Sequence, residues 1–118
     1  MHKTLLAALA VSASLALTSA ALGSSSASTL TGTVGPGFTI SLKMGGKTVK
    51  TLKAGTYTFK IADKSGIHNF ALKGPVKKTL TGVSFTGGKT VKVKLAKGKY
   101  TYYCVPHAST MKGTFTVK

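Results

Sequence analysis

The sequence predicts an all-β domain: an antiparallel Greek-key sandwich or barrel of seven or eight short strands. From Thr29 onward, apolar residues recur with a period of two instead of 3.6, and β-branched residues are abundant. Clusters of Gly, Pro and Asp separate these alternating runs at short intervals. Short strands with turn signals between them are typical of sandwiches and barrels. No substantial helix is predicted in this part of the chain.

The N-terminal segment, residues 1–27, is predicted to be a secretory signal peptide and linker that precedes a single domain at residues 28–118. A short basic start is followed by the apolar run Leu5–Leu17, and small residues then offer cleavage after Ala20 or after Ala27. The run is shorter than the ~20 residues of a membrane span. We therefore expect cleavage and export rather than a membrane anchor.

Four alternating runs are expected in the first half of the domain. A glycine–proline break at residues 35–37 separates the first two, and Gly45-Gly46 suits a tight hairpin because both positions accept positive φ. In the second run Phe38, Ile40 and Leu42 are expected to face inward. The predicted strands are Thr29–Val34, Phe38–Lys43, Thr48–Leu52 and Thr56–Ile61.

The second half adds four more runs, and residues 77–82 are expected to form a short strand or an irregular crossing. The period of two places His68, Phe70 and Leu72 on one face, so an imidazole at the end of a core-facing row can meet a loop from another strand. Cys104 likewise ends a row of inward residues. The predicted strands are His68–Leu72, Thr90–Leu95, Tyr100–Cys104 and Thr114–Val117.

Residues near the C-terminus carry a concentrated set of metal ligands. The only cysteine, Cys104, is followed by His107 and Met111 within eight residues, and His68 supplies a second imidazole. Two imidazoles, a thiolate and a weak axial thioether form the donor set of a mononuclear electron-transfer copper site. His68, Cys104, His107 and Met111 are therefore the candidate ligands, with copper, one ion per chain, as the expected cofactor.

Competing interpretations of these residues remain open. Zinc accepts Cys and His ligands, but structural zinc sites favour several cysteines and a thioether suits zinc poorly. Without a metal, Cys104 would be a buried inert thiol, His68 a hydrogen-bonded core residue and Met111 a packing residue. An unpaired cysteine in an exported protein nevertheless requires an explanation, and metal ligation supplies one.

The ligand segments resemble those of small cupredoxins, the type 1 blue-copper proteins of the plastocyanin, amicyanin and pseudoazurin kind. The resemblance lies in His68-Asn69-Phe70 and in Tyr-Cys-x-Pro-His followed by Met-Lys-Gly, and it covers roughly residues 29–118. The Cys-to-His spacing is that of plastocyanin. Three residues separate His107 from Met111, which makes this loop shorter than in plastocyanin and longer than in amicyanin.

The resemblance implies a role for each residue of the site. His68, Cys104 and His107 would form a trigonal ligand set, and Met111 would be the long axial contact. The backbone N–H of Asn69 would donate to the thiolate, and the Asn69 side chain would tie the two ligand segments together. Electrons would pass through the exposed edge of His107, and Tyr103, directly before the ligand cysteine, would offer a second path.

The charge of the chain is extreme. It contains 17 lysines, no arginine and one acid, Asp63, for a formal net charge of +16, and removal of Lys3 with the signal peptide leaves +15. The positive electrostatic field of such a charge favours anionic partners. These would be a redox protein with an acidic docking surface, or an anionic membrane or cell wall. Specific nucleic-acid binding is not expected, because no arginine is present to read base edges. A self-repelling monomer is expected.

Enzymatic activity is not expected. Asp63 is the only side-chain carboxylate, so the chain lacks paired carboxylates and lacks an acid to orient a Cys–His nucleophile. The leading hypothesis is an exported one-electron carrier that cycles between Cu(II) and Cu(I). The alternatives are copper delivery or sequestration without electron transfer, and a lysine-rich secreted sandwich that adheres to anionic surfaces.

Overall fold

The computed structural model describes residues 28–118, which form two five-stranded sheets. The predicted signal peptide at residues 1–27 lies outside the described residues. Between residues 28 and 118 the helical structure is one 3-10 turn, Val105–His107, and no helix there is long and apolar enough to cross a membrane. The strands are β1 Ser28–Val34, β2 Ile40–Met44, β3 Lys47–Thr48, β4 Thr51–Leu52, β5 Gly55–Asp63, β6 Ala71–Lys73, β7 Lys78–Thr79, β8 Gly87–Leu95, β9 Gly98–Tyr103 and β10 Lys112–Val117.

The all-β prediction is confirmed, but the purely antiparallel one is wrong. The first sheet has the order β3-β2-β1-β5-β8 and the second the order β4-β10-β9-β6-β7. Two of the pairs are parallel, β1 with β5 and β4 with β10, so both sheets are mixed. The pairing is parallel because the chain crosses between the sheets before it returns to a neighbouring position.

The described residues contain ten strands, two more than the eight runs that the sequence analysis names. The strand predicted at residues 48–52 is divided into β3 and β4, which lie in different sheets. Val49, which is buried, lies at the crossing and donates its N–H to the Leu42 carbonyl, whereas the next carbonyl, of Lys50, accepts from Thr116 in the other sheet. The second addition is β7, which lies in the region predicted to be a short strand or an irregular crossing.

The inward side chains of the two sheets form the core. The predicted alternation is confirmed in β5, β8 and β9. Phe38 is an exception: its side chain is 62% exposed, and it precedes β2. The segment from Gly35 to Thr39 is a turn closed by the Gly35 N–H and the Thr39 carbonyl, so alternation begins only at Ile40. The buried apolar residues of the core include Leu30, Leu42, Phe59, Ile61, Phe70, Leu72, Val93, Leu95, Tyr100, Tyr102 and Phe115.

Buried tyrosines bind the turns that precede β5 and β9 and pack in the core. The hydroxyls of Tyr57 and Tyr100 each donate to a carbonyl four residues upstream, at 2.6 and 2.8 Å, as in the tyrosine corners of other sandwiches. Tyr102 stacks on Phe70 and Phe115, with ring centroids 5.7 and 6.3 Å apart. Burial raises the pKa of Tyr100 and of Tyr102 above the ordinary value, because the phenolate form is poorly solvated there.

Candidate metal centre

Two loops bring the candidate ligands together at one end of the sandwich. His68 lies between β5 and β6, Cys104 follows β9, His107 ends the 3-10 turn, and Met111 precedes β10. Backbone hydrogen bonds make the last loop compact. The Cys104 N–H donates to the Met111 carbonyl at 3.0 Å, and the Met111 N–H donates to the His107 carbonyl at 2.8 Å.

The side chains of His68, Cys104 and His107 converge. The two Nδ1 atoms are 3.0 Å apart, and the Cys104 Sγ atom lies 3.7 Å from Nδ1 of His68 and 3.6 Å from Nδ1 of His107. Ligands at about 2.0 Å for nitrogen and 2.3 Å for sulfur, with bond angles of about 100–120° at the ion, would place the two nitrogens about 3.1–3.5 Å apart and each nitrogen about 3.3–3.7 Å from the sulfur. The donor atoms therefore fit a single ion, and His68, Cys104 and His107 are arranged as a type 1 copper site.

Burial differs sharply among the four candidate residues. His68 and Cys104 are fully buried and Met111 is 1% exposed, whereas His107 is half-buried. A metal held here would be separated from water on most sides, and His107 would be its connection to the surface.

Asn69 links the two ligand segments. Its backbone N–H donates to the Cys104 sulfur, with a nitrogen–sulfur distance of 3.4 Å. Its side-chain Oδ1 atom accepts the N–H of Val105 at 2.7 Å. Both contacts were expected from the family resemblance, and both are confirmed. The first orients the Cys104 sulfur, and the second holds the His68 segment against the Cys104 loop.

Asp63, the only carboxylate, lies outside this group of donor atoms. It ends β5 with its side chain buried, and its Oδ1 atom accepts the N–H of Ser65 at 3.2 Å. It therefore shapes the turn that leads to His68. All 16 lysines of the described residues are exposed. No side-chain carboxylate accompanies them at the surface of this part of the chain.

Phe38 is a residue of the site that the sequence did not reveal. Its ring centroid lies 5.0 Å from that of His68 and 4.9 Å from that of His107. The alternating pattern assigned Phe38 to the core. The Gly35-Pro36-Gly37 sequence directly before Phe38 could have indicated its position. A turn of this kind can extend by a residue or two, so that the next residue does not belong to a strand.

A family comparison agrees with this site. The model of the copper-binding proteins of the plastocyanin/azurin family matches residues 46–118, which include all four candidate ligands. No curated protein sequence matches the chain.

Solved blue-copper proteins share the fold. The copper protein rusticyanin superposes with a TM-score of 0.57, at 21% identity over 76% of each chain. Reduced rusticyanin gives a TM-score of 0.54, at 26% identity over 76% of this chain and 78% of its own. Auracyanin A, a blue copper protein from Chloroflexus aurantiacus, gives a TM-score of 0.55 at 20% identity. The match covers 79% of this chain and 100% of auracyanin A.

Proposed function

Because the chain belongs to the plastocyanin/azurin family of copper-binding proteins, we propose that it is an exported type 1 copper protein that carries single electrons between redox partners. The observation that carries this proposal is the convergence of His68, Cys104 and His107 at distances that fit one ion. Bound copper would supply the one-electron couple between Cu(II) and Cu(I).

The residues around the metal would keep the site rigid and dry. We propose His68, Cys104 and His107 as the strong ligands and the buried Met111 as the weak axial ligand. Asn69 holds the two ligand segments at a fixed separation through its contacts with Cys104 and Val105. A coordination sphere that changes little between the two oxidation states suits electron transfer, because little reorganisation accompanies each step.

Electrons would enter or leave through the accessible edge of His107, beside the half-buried Ala108. Tyr103 is a second possible path, since it directly precedes Cys104 on β9 and its ring lies 4.7 Å from the Lys73 ammonium. The exposed lysines favour a redox partner with an acidic docking surface, and their mutual repulsion favours a monomer. An anionic membrane or cell wall would attract the same surface.

Export is proposed from the sequence of residues 1–27. The first strand begins at Ser28 and pairs on both sides in the first sheet. Cleavage after Ala20 or Ala27 would therefore leave the sandwich complete. The domain at residues 28–118 would act as a carrier and not as an enzyme, because its one carboxylate is buried in a structural turn.

The test is a copper titration of the purified protein with its thiol reduced. We expect one equivalent of Cu(II) to produce an intense blue absorption band that ascorbate bleaches, with a reversible one-electron wave in voltammetry. Cys104→Ser should abolish the band.

Met111→Leu should keep the band and raise the reduction potential, because loss of the thioether donor disfavours Cu(II). Met44→Leu is the matched control, since Met44 is exposed and remote in sequence from the ligands.

The other outcomes point to the other functions. A folded protein that takes up copper without a reversible wave would contradict electron transfer and favour copper delivery or sequestration. A folded protein with a reduced thiol and no blue colour would overturn the copper proposal and favour adhesion to anionic surfaces.

A further inference from the structure

We propose that Phe38 is a positioning residue of the copper site, whose ring keeps the two ligand imidazoles in their relative orientation and covers the edge through which small molecules would reach the metal. The proposal rests on the proposed function, because it concerns the same site. It adds a residue from outside both ligand segments.

The rings of Phe38, His68 and His107 form a three-membered aromatic cluster. Phe38 meets His68 with an interplanar angle of 65° and meets His107 at 85°, and the two imidazoles meet each other at 75° with centroids 4.7 Å apart. Edge-to-face arrangements of this kind are the favourable geometry for aromatic rings. Rotation of either imidazole would therefore disturb its contact with Phe38.

The exposure of Phe38 shows that core packing does not explain its position. Phe59, Phe70 and Phe115 are buried, whereas the Phe38 side chain is 62% exposed. A single exposed apolar residue is common on protein surfaces. This one, however, contacts both candidate imidazoles and shields part of the half-buried His107 from water.

The loop that carries Phe38 is anchored to the segment that carries His68. Gly35 has a φ of 69°, and a Cβ atom there would lie 2.9 Å from the Cβ atom of Ser65, so glycine permits this close approach. The Gly35 N–H donates to the Thr39 carbonyl, and the Lys64 N–H donates to the Val34 carbonyl, each at 2.9 Å. Phe38 is thus held at a fixed position relative to His68, as a positioning group requires.

One other exposed apolar residue serves as the control. Ile67 directly precedes His68 and is 59% exposed. It carries no aromatic ring. Truncating it removes exposed apolar surface next to a candidate ligand but leaves the three-ring cluster intact.

The first experiment measures the rate at which EDTA removes copper from the purified protein. Phe38→Ala should speed the loss by about tenfold or more, because removal of a group that orients metal ligands typically weakens metal binding by about 10–100-fold. Phe38→Tyr, which keeps the ring, should restore the slow rate. Ile67→Ala should stay within about twofold of the original rate, as is usual for a surface substitution. The urea midpoint of Phe38→Ala should change little, because the ring is mostly exposed.

The second experiment uses the metal-free protein, and it separates this proposal from the proposed function. In proton–nitrogen NMR spectra of the imidazoles, Phe38→Ala should broaden the ring signals of His68 and His107 because the rings lose their fixed orientation, whereas Ile67→Ala should leave these signals sharp. If the original protein binds no copper, the proposed function fails, and these spectra still decide the role of Phe38.

Two results would overturn the positioning role. One is imidazole signals in Phe38→Ala that are as sharp as those in Ile67→Ala, together with equal rates of copper loss. The other is a fall in the urea midpoint of Phe38→Ala large enough to account for faster loss, since that would make Phe38 a general stabilising residue.

Discussion

At the scale of single residues, Asn69 joins the two halves of the site. Replacing Asn69 by Ala should lower the free energy of unfolding by about 1–3 kcal/mol, because the Val105 N–H loses its acceptor in a partly buried position. Ser84→Ala is the control, since it truncates an exposed polar side chain. Urea unfolding of both variants measures the difference. A change below about 0.5 kcal/mol in Asn69→Ala would contradict the structural role of this contact.

The residues of the site were predictable from sequence where a metal-ligating residue type occurs at a recognisable spacing from the others. Cys104, His107 and His68 are rare residue types in this chain, so their pattern was informative, and the structure brings all three together. Phe38 was assigned to the core, because the alternating pattern does not show where a turn ends and a strand begins. Only the closed turn at Gly35–Thr39 places the ring beside the histidines.

At the scale of strands, β9 and β10 fit together through a glycine. Gly113 pairs with Tyr102, and a Cβ atom at Gly113 would overlap the Tyr102 ring. Gly113→Ala should therefore lower the free energy of unfolding by about 1–3 kcal/mol, the usual cost of overpacking. Gly82→Ala is the control, because no atom lies within 4 Å of the added methyl group.

Urea unfolding measures both glycine variants. Equal stabilities for Gly113→Ala and Gly82→Ala would show that the β9–β10 pair adjusts to the added methyl group without loss. Because Gly113 lies two residues after Met111, the blue absorption of the copper-loaded variant should also shift if the strand moves.

Strand positions followed from the alternation of the sequence, but strand partners did not. A period of two marks a strand without identifying its neighbour, so the parallel pairs β1–β5 and β4–β10 were not foreseen. The division between β3 and β4 was missed for a related reason. Val49 is apolar and β-branched, so it fits a continuous strand pattern, although it lies where the chain changes sheets.

At the scale of the whole molecule, the lysines dominate the electrostatics. With every described lysine exposed and Asp63 buried, charges at the surface mainly repel one another. We expect the melting temperature to rise between about 0.01 M and 0.15 M NaCl, because the Debye length falls from about 30 Å to about 8 Å. Differential scanning calorimetry measures this directly.

A charge reversal provides the control for this salt effect. Lys92 and Lys94 lie two residues apart on the exposed face of β8. Lys92→Glu should raise the melting temperature at low salt and reduce its dependence on NaCl. A melting temperature that is constant or that falls with added salt would contradict the repulsion argument.

The parallel pairing of β1 with β5 also affects how the chain folds. Ser28 pairs with Tyr57, and Gly55 pairs with Leu95, so the first sheet forms only when distant parts of the sequence come into contact. Sandwiches dominated by such contacts fold in milliseconds to seconds, far more slowly than helical bundles. Until β9 joins the second sheet, the thiol of Cys104 is open to oxidants that it no longer meets once buried. The speed of folding therefore sets how long this single sulfur is at risk.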